Sequence, residues 1–353
     1  MNSKKYNMIF FAVLVVGLFI FALPTIVLDP LFHYHKPFKW QKYELKEERY
    51  QNDGIVKHFE YDAIITGSSM TQNFKTTEMD ELFGVKSVKT TFAGGTLKEV
   101  DSHLRRAIEA NSDVKCIVRA LDTTMLVNGK DQVNYEGCPE YLYDKNIFND
   151  GEYIFNKEIF YEHTLKGIVY HCTAEESTSF DDYASWYHER PADGKKVRDS
   201  YIRGEKSDNK RNFSELYCEM LQENIMQNVV MLAEENPEIT FYYFIPPYSI
   251  CWWDAKNQAG EAEFYLQAEK EAAELMLECE NIRLFSFYDE TEMVCDLNNY
   301  SDDAHYGEHI NSQILRWMKD DEHRITKDNF EQYYSEMYEF YTSFDYDDMF
   351  ESS

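Results

Sequence analysis

The chain has 353 residues, 44% of them hydrophobic and 16% aromatic. That is enough to build the core of one large α/β domain or two small ones. Its formal charge is −29 with no basic block to offset it, which argues against nucleic-acid binding, where affinity comes from neutralising phosphates, and fits a strongly solvated exterior.

Residues 8–28, "MIFFAVLVVGLFIFALPTIVL", carry no charge. At ~1.5 Å per residue such a run spans the ~30 Å hydrocarbon layer of a membrane. It exceeds the ~7–15 apolar residues of a signal-peptide core, and no small-x-small cleavage site follows. An uncleaved transmembrane anchor is therefore expected over a removed signal. Lys4 and Lys5 precede the run, and Lys36, Lys39 and Lys42 follow it, so charge alone does not orient the span. Residues 29–58 read as a charged stem with scattered aromatics. His33 and His35 within it have metal-like spacing but no further ligand beside them, so no metal site is expected.

From Tyr61 the pattern alternates. An apolar run over 61–66 reads as a buried strand. A short helix over 77–82, closed by Gly84, and a strand over 85–92 follow. Thr96 with Glu99 forms a capping-box pattern that predicts a helix to about Ala110. "VKCIVRAL" (114–121) is a third strand. This βαβαβ spacing implies a parallel sheet covered on both faces. The alternation lapses over about 127–207, a polar, Tyr-rich insertion with the character of a lid or substrate wall and one candidate helix, "KEIFYEHTLKGIVYH".

It resumes with a helix ending before Pro237, the strand "EITFYYFI", a turn "PPYSICWWD", a helix over about 261–279, the strand "IRLFSF", and a last core helix over 310–318. The tail over 321–353 is an aromatic helix with an acidic end. Phe330, Tyr333, Tyr334, Met337, Tyr338, Phe340, Tyr341 and Phe344 give it one apolar face, suited to packing on the body or on a partner. About five parallel strands are expected, in a three-layer α/β/α sandwich over 59–320 behind an N-terminal transmembrane helix. Ligands in such sheets sit beyond the carboxyl ends of the strands, where Gly67-Ser68-Ser69 falls.

A serine nucleophile needs a base, a group orienting the base, and donors for the oxyanion. His305 lies in "NNYSDDAHYGEHIN", at the same mouth of the sheet. Asp302, three residues before it, can accept from its Nδ1–H in a tight turn while Nε2 faces a serine; Asp303 is an alternative for that role. The seven cysteines, Cys116, Cys138, Cys172, Cys218, Cys251, Cys279 and Cys295, show no CxxC or metal-ligand spacing. No GxGxxG or P-loop pattern occurs, and no cofactor is expected. Tyr248, Trp252 and Trp253 suit either a sugar-binding wall or buried packing.

A strand-end G-x-S opening the domain and a D-x-x-H before its last core helix resemble the SGNH/GDSL hydrolase superfamily. That resemblance maps Ser69 onto the nucleophile, with Ser68 at the usual Asp position, and Asp302 and His305 onto the closing pair. It implies an oxyanion-hole glycine in "TTFAGGT", Gly94 or preferably Gly95, acting with the Ser69 N–H. The family's third block usually presents an Asn; here "RALDTTML" has Asp122, which either anchors its loop or orients a side chain. The single anchor, the Gly-Ser-Ser, the long insertion and a segment like "FYYFIPPYSICWWD" further resemble membrane-tethered members that modify bacterial surface polymers, such as the lipoteichoic-acid D-alanylation protein and polysaccharide O-acetyltransferases. The resemblance implies an extracytoplasmic esterase or acyltransferase, residues 1–7 being a cytoplasmic tail. A cell-surface polysaccharide or teichoic-acid-like polymer would be its substrate, and a multi-pass membrane acyltransferase a partner. The alternative is an inactive scaffold of the same fold serving such an acyltransferase.

Overall fold

A computed structural model describes residues 3–135 and 138–351. The chain divides into two compact units, Met1–Glu60 with Glu136–Ser179, and Tyr61–Tyr135 with Phe180–Ser353. Residues 29–58 are thus not a free stem, and the expected insertion is split: residues 136–179 join the N-terminal residues, and the parts on either side of them belong to the larger unit.

In the smaller unit, the helix Ser3–Leu28 is long and apolar enough to cross a membrane. It ends where Asp29 turns the chain with φ 41°. The buried Asp29 carboxylate accepts from the backbone N–H groups of His33, Tyr34 and His35 and from the Tyr153 hydroxyl. One carboxylate thereby ties the end of the helix to residues more than a hundred positions away. Leu31, Leu142, Tyr153 and Ile159 form a small core. "KEIFYEHTLKGIVYH" is helical in two parts, a π-helical stretch Ile159–Leu165 running into the α-helix Lys166–Thr173. His33 Nε2 lies 3.2 Å from Asp150.

The larger unit holds a six-stranded sheet: β1 (Ala63–Gly67), β2 (Ser87–Thr91), β3 (Cys116–Ala120), β4 (Thr240–Ile245), β5 (Ile282–Ser286) and β6 (Arg324–Ile325). The order is β2-β1-β3-β4-β5-β6. The first five strands are parallel, and β6 adds an antiparallel edge pair. Parallel neighbours need crossovers, and these lay helices on both faces. On one side the helices Thr76–Phe83 and Glu308–Asp320 pack together; on the other, Ala262–Met276 packs against Glu215–Ile225 and the tail helix Phe330–Ser343. The result is a three-layer α/β/α sandwich whose order reverses between β1 and β3, the place where a doubly wound sheet opens a crevice.

Local signals explain the element ends. Gly84 stops its helix at φ 68°, a conformation glycine adopts at little cost. Thr96 and Glu99 make the reciprocal capping box at the start of Leu97–Ala110. "PPYSICWWD" departs from the expected turn. After Tyr248 it becomes the helix Ile250–Gln258, capped by the Ser249 hydroxyl accepting from the Trp252 N–H. Tyr248, Trp252 and Trp253 are buried, so they are packing residues and not a sugar-binding wall. Trp253 stacks on Tyr341 of the tail helix at 4.3 Å, which is where that helix buries its apolar face.

Candidate active site

β1 ends at Gly67, whose φ is +139°. A Cβ there would lie 3.0 Å from the Thr71 side chain and 3.1 Å from the Ala120 Cβ. Only glycine lets the chain leave the strand this sharply with the next strand so close. The turn that follows is pinned by Ser68. Its carbonyl accepts from the Thr71 N–H at 3.1 Å and the Thr71 hydroxyl at 2.8 Å, and its Oγ accepts from the Met70 N–H at 3.2 Å. Ser69 thus opens a single 3₁₀ turn, Ser69–Thr71. Its N–H points to no acceptor among the described residues, as expected for the first donor of a helical turn.

The Ser69 hydroxyl donates to His305 Nε2 at 2.8 Å. The loop carrying His305 is closed by an antiparallel bridge between Tyr300 and Tyr306 and by the Ser301 N–H donating to the His305 carbonyl. Inside it, Asp302 Oδ1 accepts from the backbone N–H groups of Ala304 (2.9 Å) and His305 (2.7 Å), and the carboxylate receives Nδ1–H of His305 at 2.9–3.0 Å. That acceptor leaves Nε2 unprotonated to face the serine. Burial raises the Asp302 carboxyl, but the hydrogen bond and charge of His305 and the two backbone N–H groups outweigh it, so its pKa falls to about 2. Asp303 does not take this role. Its side chain is exposed, and its carbonyl accepts from the Ser249 hydroxyl.

Two residues after the histidine loop's core lock it to the serine turn. The Tyr306 hydroxyl donates to the Met70 carbonyl at 2.9 Å, and Asn311 Nδ2 donates to the same oxygen at 3.1 Å. The PPYS segment holds the loop from below: the Tyr300 hydroxyl reaches the Pro247 carbonyl at 2.9 Å. Around His305 the structure adds side chains that have no local sequence signal. The Trp186 ring stands edge-on to the imidazole at 5.5 Å. The Arg190 guanidinium covers Trp186 at 4.8 Å and lies 3.9 Å from Asp302 Oδ2. The backbone at Trp186 is in turn fixed by its main-chain N–H donating to Asn73 Oδ1 at 3.0 Å. A cleft of about 480 Å³, lined by Tyr187, His188, Arg190, Asn298, Glu308 and His309, opens beside this loop.

The expected oxyanion glycine is corrected by the structure. The Gly95 N–H donates to the Phe92 carbonyl at 2.7 Å, closing a tight turn in which Gly94 takes φ +62°. That donor is spent on the turn itself. The Gly94 N–H has no acceptor among the described residues. β2 ends opposite β1, with Thr91 level with Gly67 and the Phe92 N–H donating to the Gly67 carbonyl at 2.8 Å, so Gly94 stands at the same mouth of the sheet as Ser69.

Asp122, just past β3, accepts from the Tyr248 hydroxyl at 2.9 Å and from Ser68. Burial raises its carboxyl pKa, against the opposing effect of those two bonds and of His305. Asp122 therefore anchors the serine turn to the PPYS segment. Below it, the buried Thr123 hydroxyl donates to Glu269. No group of three or more potential metal ligands occurs among the described residues.

No family model matches the chain, and no curated protein matches it. Among solved structures it is similar to one provisionally described as a platelet activating factor from Streptococcus pneumonia. The identity is 12%, 77% of this chain and 89% of that chain are covered, and the TM-score is 0.39.

Proposed function

We propose that the protein is a serine ester hydrolase or acyltransferase of SGNH/GDSL type, working through an acyl-Ser69 intermediate. The observation that carries this is the continuous line from Ser69 Oγ to His305 Nε2 at 2.8 Å and from Nδ1 to Asp302 at 2.9 Å. Ser69 Oγ attacks the ester carbonyl carbon while its proton passes to His305 Nε2. Asp302 stabilises the imidazolium formed. The tetrahedral oxyanion is met by the free N–H groups of Ser69 and Gly94. The imidazolium returns its proton to the departing alkoxide. Water or a second hydroxyl, deprotonated by His305, then releases the acyl group from Ser69. Hydrolysis and transfer differ only in that second nucleophile.

The substrates are acyl esters, acetyl or D-alanyl, on a cell-surface polysaccharide or teichoic-acid-like polymer, and the larger unit works outside the cytoplasm behind a single-pass anchor. Support is the apolar helix Ser3–Leu28 together with the sequence resemblance to membrane-tethered polymer-modifying members. A fluorophosphonate probe tests the nucleophile. Wild type should be labelled at one site, and Ser69→Ala should lose the label entirely; equal labelling of the two proteins would sink the assignment.

Tyr306→Phe tests the lock between the two loops. It removes one of two donors on the Met70 carbonyl, so stability should fall by about 1 kcal/mol. Labelling should slow roughly tenfold as the serine and histidine lose fixed geometry. Stopped-time labelling and a thermal melt on the same sample measure both.

A second reading, binding without turnover, draws on Gly95 and Asp122. The preferred oxyanion donor is spent in its own turn, and a carboxyl stands where relatives of this type place an amide. On that reading a folded wild type takes up no fluorophosphonate, and Ser69→Ala leaves polymer retention unchanged.

A further inference from the structure

The wall beside the histidine loop is fixed to the serine side of the site. Residues 72–77 directly follow the serine turn, and residues 181–186 are tied to them. The Asp181 carboxylate accepts from the Thr76 hydroxyl at 2.8 Å and from the Thr77 N–H and hydroxyl at 3.1 Å and 2.6 Å. The Lys89 ammonium, wholly buried on β2, donates to the Phe74 and Asp181 carbonyls, both at 3.0 Å, and to the Ser185 hydroxyl at 3.1 Å. With the Trp186 main-chain N–H held by Asn73, the indole stands at a set place against His305.

One turn on, the Arg190 N–H donates to the Trp186 carbonyl at 2.9 Å, and residues four apart in such a turn share a face. That spacing lays the guanidinium over the indole at 4.8 Å, an attraction that positions a cation without consuming its hydrogen-bond donors. The nearest carboxylate oxygen, Asp302 Oδ2, is 3.9 Å away, beyond hydrogen-bond distance. Arg203, Arg211 and Arg283, by contrast, each meet a carboxylate within 2.9 Å. Among the described residues no side chain accepts from the Arg190 fork, and 49% of this side chain is exposed, at the lip of the cleft of about 480 Å³. Glu308, the carboxylate lining that cleft, is matched by Lys75 at 3.1 Å. A cation presented on a clamped indole, with its donors free, is arranged to meet a ligand.

The geometry points to Arg190 as a specificity-determining residue, its guanidinium pairing with an anionic group, phosphate or carboxylate, that the substrate carries next to the acylated unit. The inference rests on the reading of Ser69 as the nucleophile. A planar fork of donors matches two oxygens of an anion with two N–H groups at once, whereas a neutral hydroxyl would leave most of the fork unused. The contacts run 5.5 Å from imidazole to indole and 4.8 Å from indole to guanidinium. They set the anion on a neighbouring unit of the substrate and not on the acyl group itself.

Protection of Ser69 from a neutral fluorophosphonate tests this, with the full chain in detergent at constant ionic strength. Glycerol phosphate, glycerate and glycerol are the added compounds, and the readout is the concentration that halves the labelling rate. A change in the rate itself, which loss of a cation beside Asp302 brings, does not enter that concentration. In wild type one or both anions should protect at concentrations well below glycerol. Arg190→Gln should raise the concentration needed for the anions about tenfold or more, the loss expected for a charge-assisted pair. Arg190→Lys, which keeps the charge and loses the fork, should fall between, and thermal melts check that both variants fold. The more protective anion tells a phosphate-bearing substrate from a carboxylate-bearing one. Equal protection by all three compounds or by none in wild type, or anion protection that survives in Arg190→Gln, would overturn the assignment of Arg190 alone. A folded wild type that takes no label would overturn the reading of Ser69, and the inference with it.

Discussion

Asp302→Asn is expected to lower the turnover of an activated ester about 10⁴-fold with little change in KM, the size of effect seen when the orienting carboxylate of such a triad becomes an amide. The reason is the proton inventory of the loop. Asp302 Oδ1 accepts two backbone N–H groups, from Ala304 and His305. An Asn in its place keeps its one carbonyl oxygen on those donors, and its Nδ2–H₂ is then turned toward His305 Nδ1. That forces the imidazole proton onto Nε2, where it can no longer accept from Ser69. The fold should survive, because the two backbone bonds survive. A loss smaller than about tenfold in a folded variant would mean that Asp302 does not orient the base. The pH behaviour has a fixed sign. The folded pKa of about 2 lies below the ordinary carboxylate value of 3.8. The stabilisation it brings is therefore present above 3.8 and is lost as pH falls through about 2. Any acid limb in activity between pH 4 and 7 must come from another group.

The sheet was legible in the sequence because its strands are short apolar runs set between strong stop signals. Gly67, Gly84 and the Thr96 capping box mark ends by backbone chemistry that needs no tertiary partner. Ser69, Asp302 and His305 could be nominated for the same reason, since a strand end and a D-x-x-H turn are local patterns. What was not legible depends on contacts between distant residues or on the fine direction of one N–H. The Gly95 donor is consumed by a turn whose geometry follows from Gly94 taking positive φ, and either glycine of "AGGT" could have played either part. "PPYSICWWD" carries turn residues and aromatics in equal measure. Its helix exists because Ser249 caps it and Trp253 has Tyr341 to stack on, eighty-eight residues later. Trp186 and Arg190 lie in a polar stretch without periodicity and meet His305 only through the fold. The division of the insertion is tied to pairs such as Thr25 with Thr164, 139 residues apart, which no window of sequence displays.

Glu269→Gln is expected to flatten the pH dependence of stability, with the largest gain over wild type near pH 8. Glu269 sits on Ala262–Met276 with 1% of its surface exposed. One of its oxygens accepts from Thr123, and Tyr288 lies beside the carboxyl. Burial raises its pKa from 4.5 to about 8, outweighing the hydrogen bonds from Thr123 and Tyr288. Between those two values the folded protein holds a proton that the unfolded chain has released. Stability therefore falls as pH rises through this window and levels off above it. The slope is about 1.4 kcal/mol per pH unit, so the whole window is worth on the order of 5 kcal/mol. A glutamine of the same shape does not titrate. Its melting temperature should fall less than the wild type's between pH 5 and pH 8, by about 10 °C for a domain of this size. Parallel curves for the two proteins would show that Glu269 is not protonated in the folded state. The consequence reaches the site, because Glu269 holds Thr123 and the neighbouring Asp122 holds Ser68 and Tyr248. Charging Glu269 places a carboxylate under a carboxyl already raised by burial, on the floor of the serine turn. Fluorophosphonate labelling of Ser69 should accordingly decline above pH 8 in wild type and persist in Glu269→Gln.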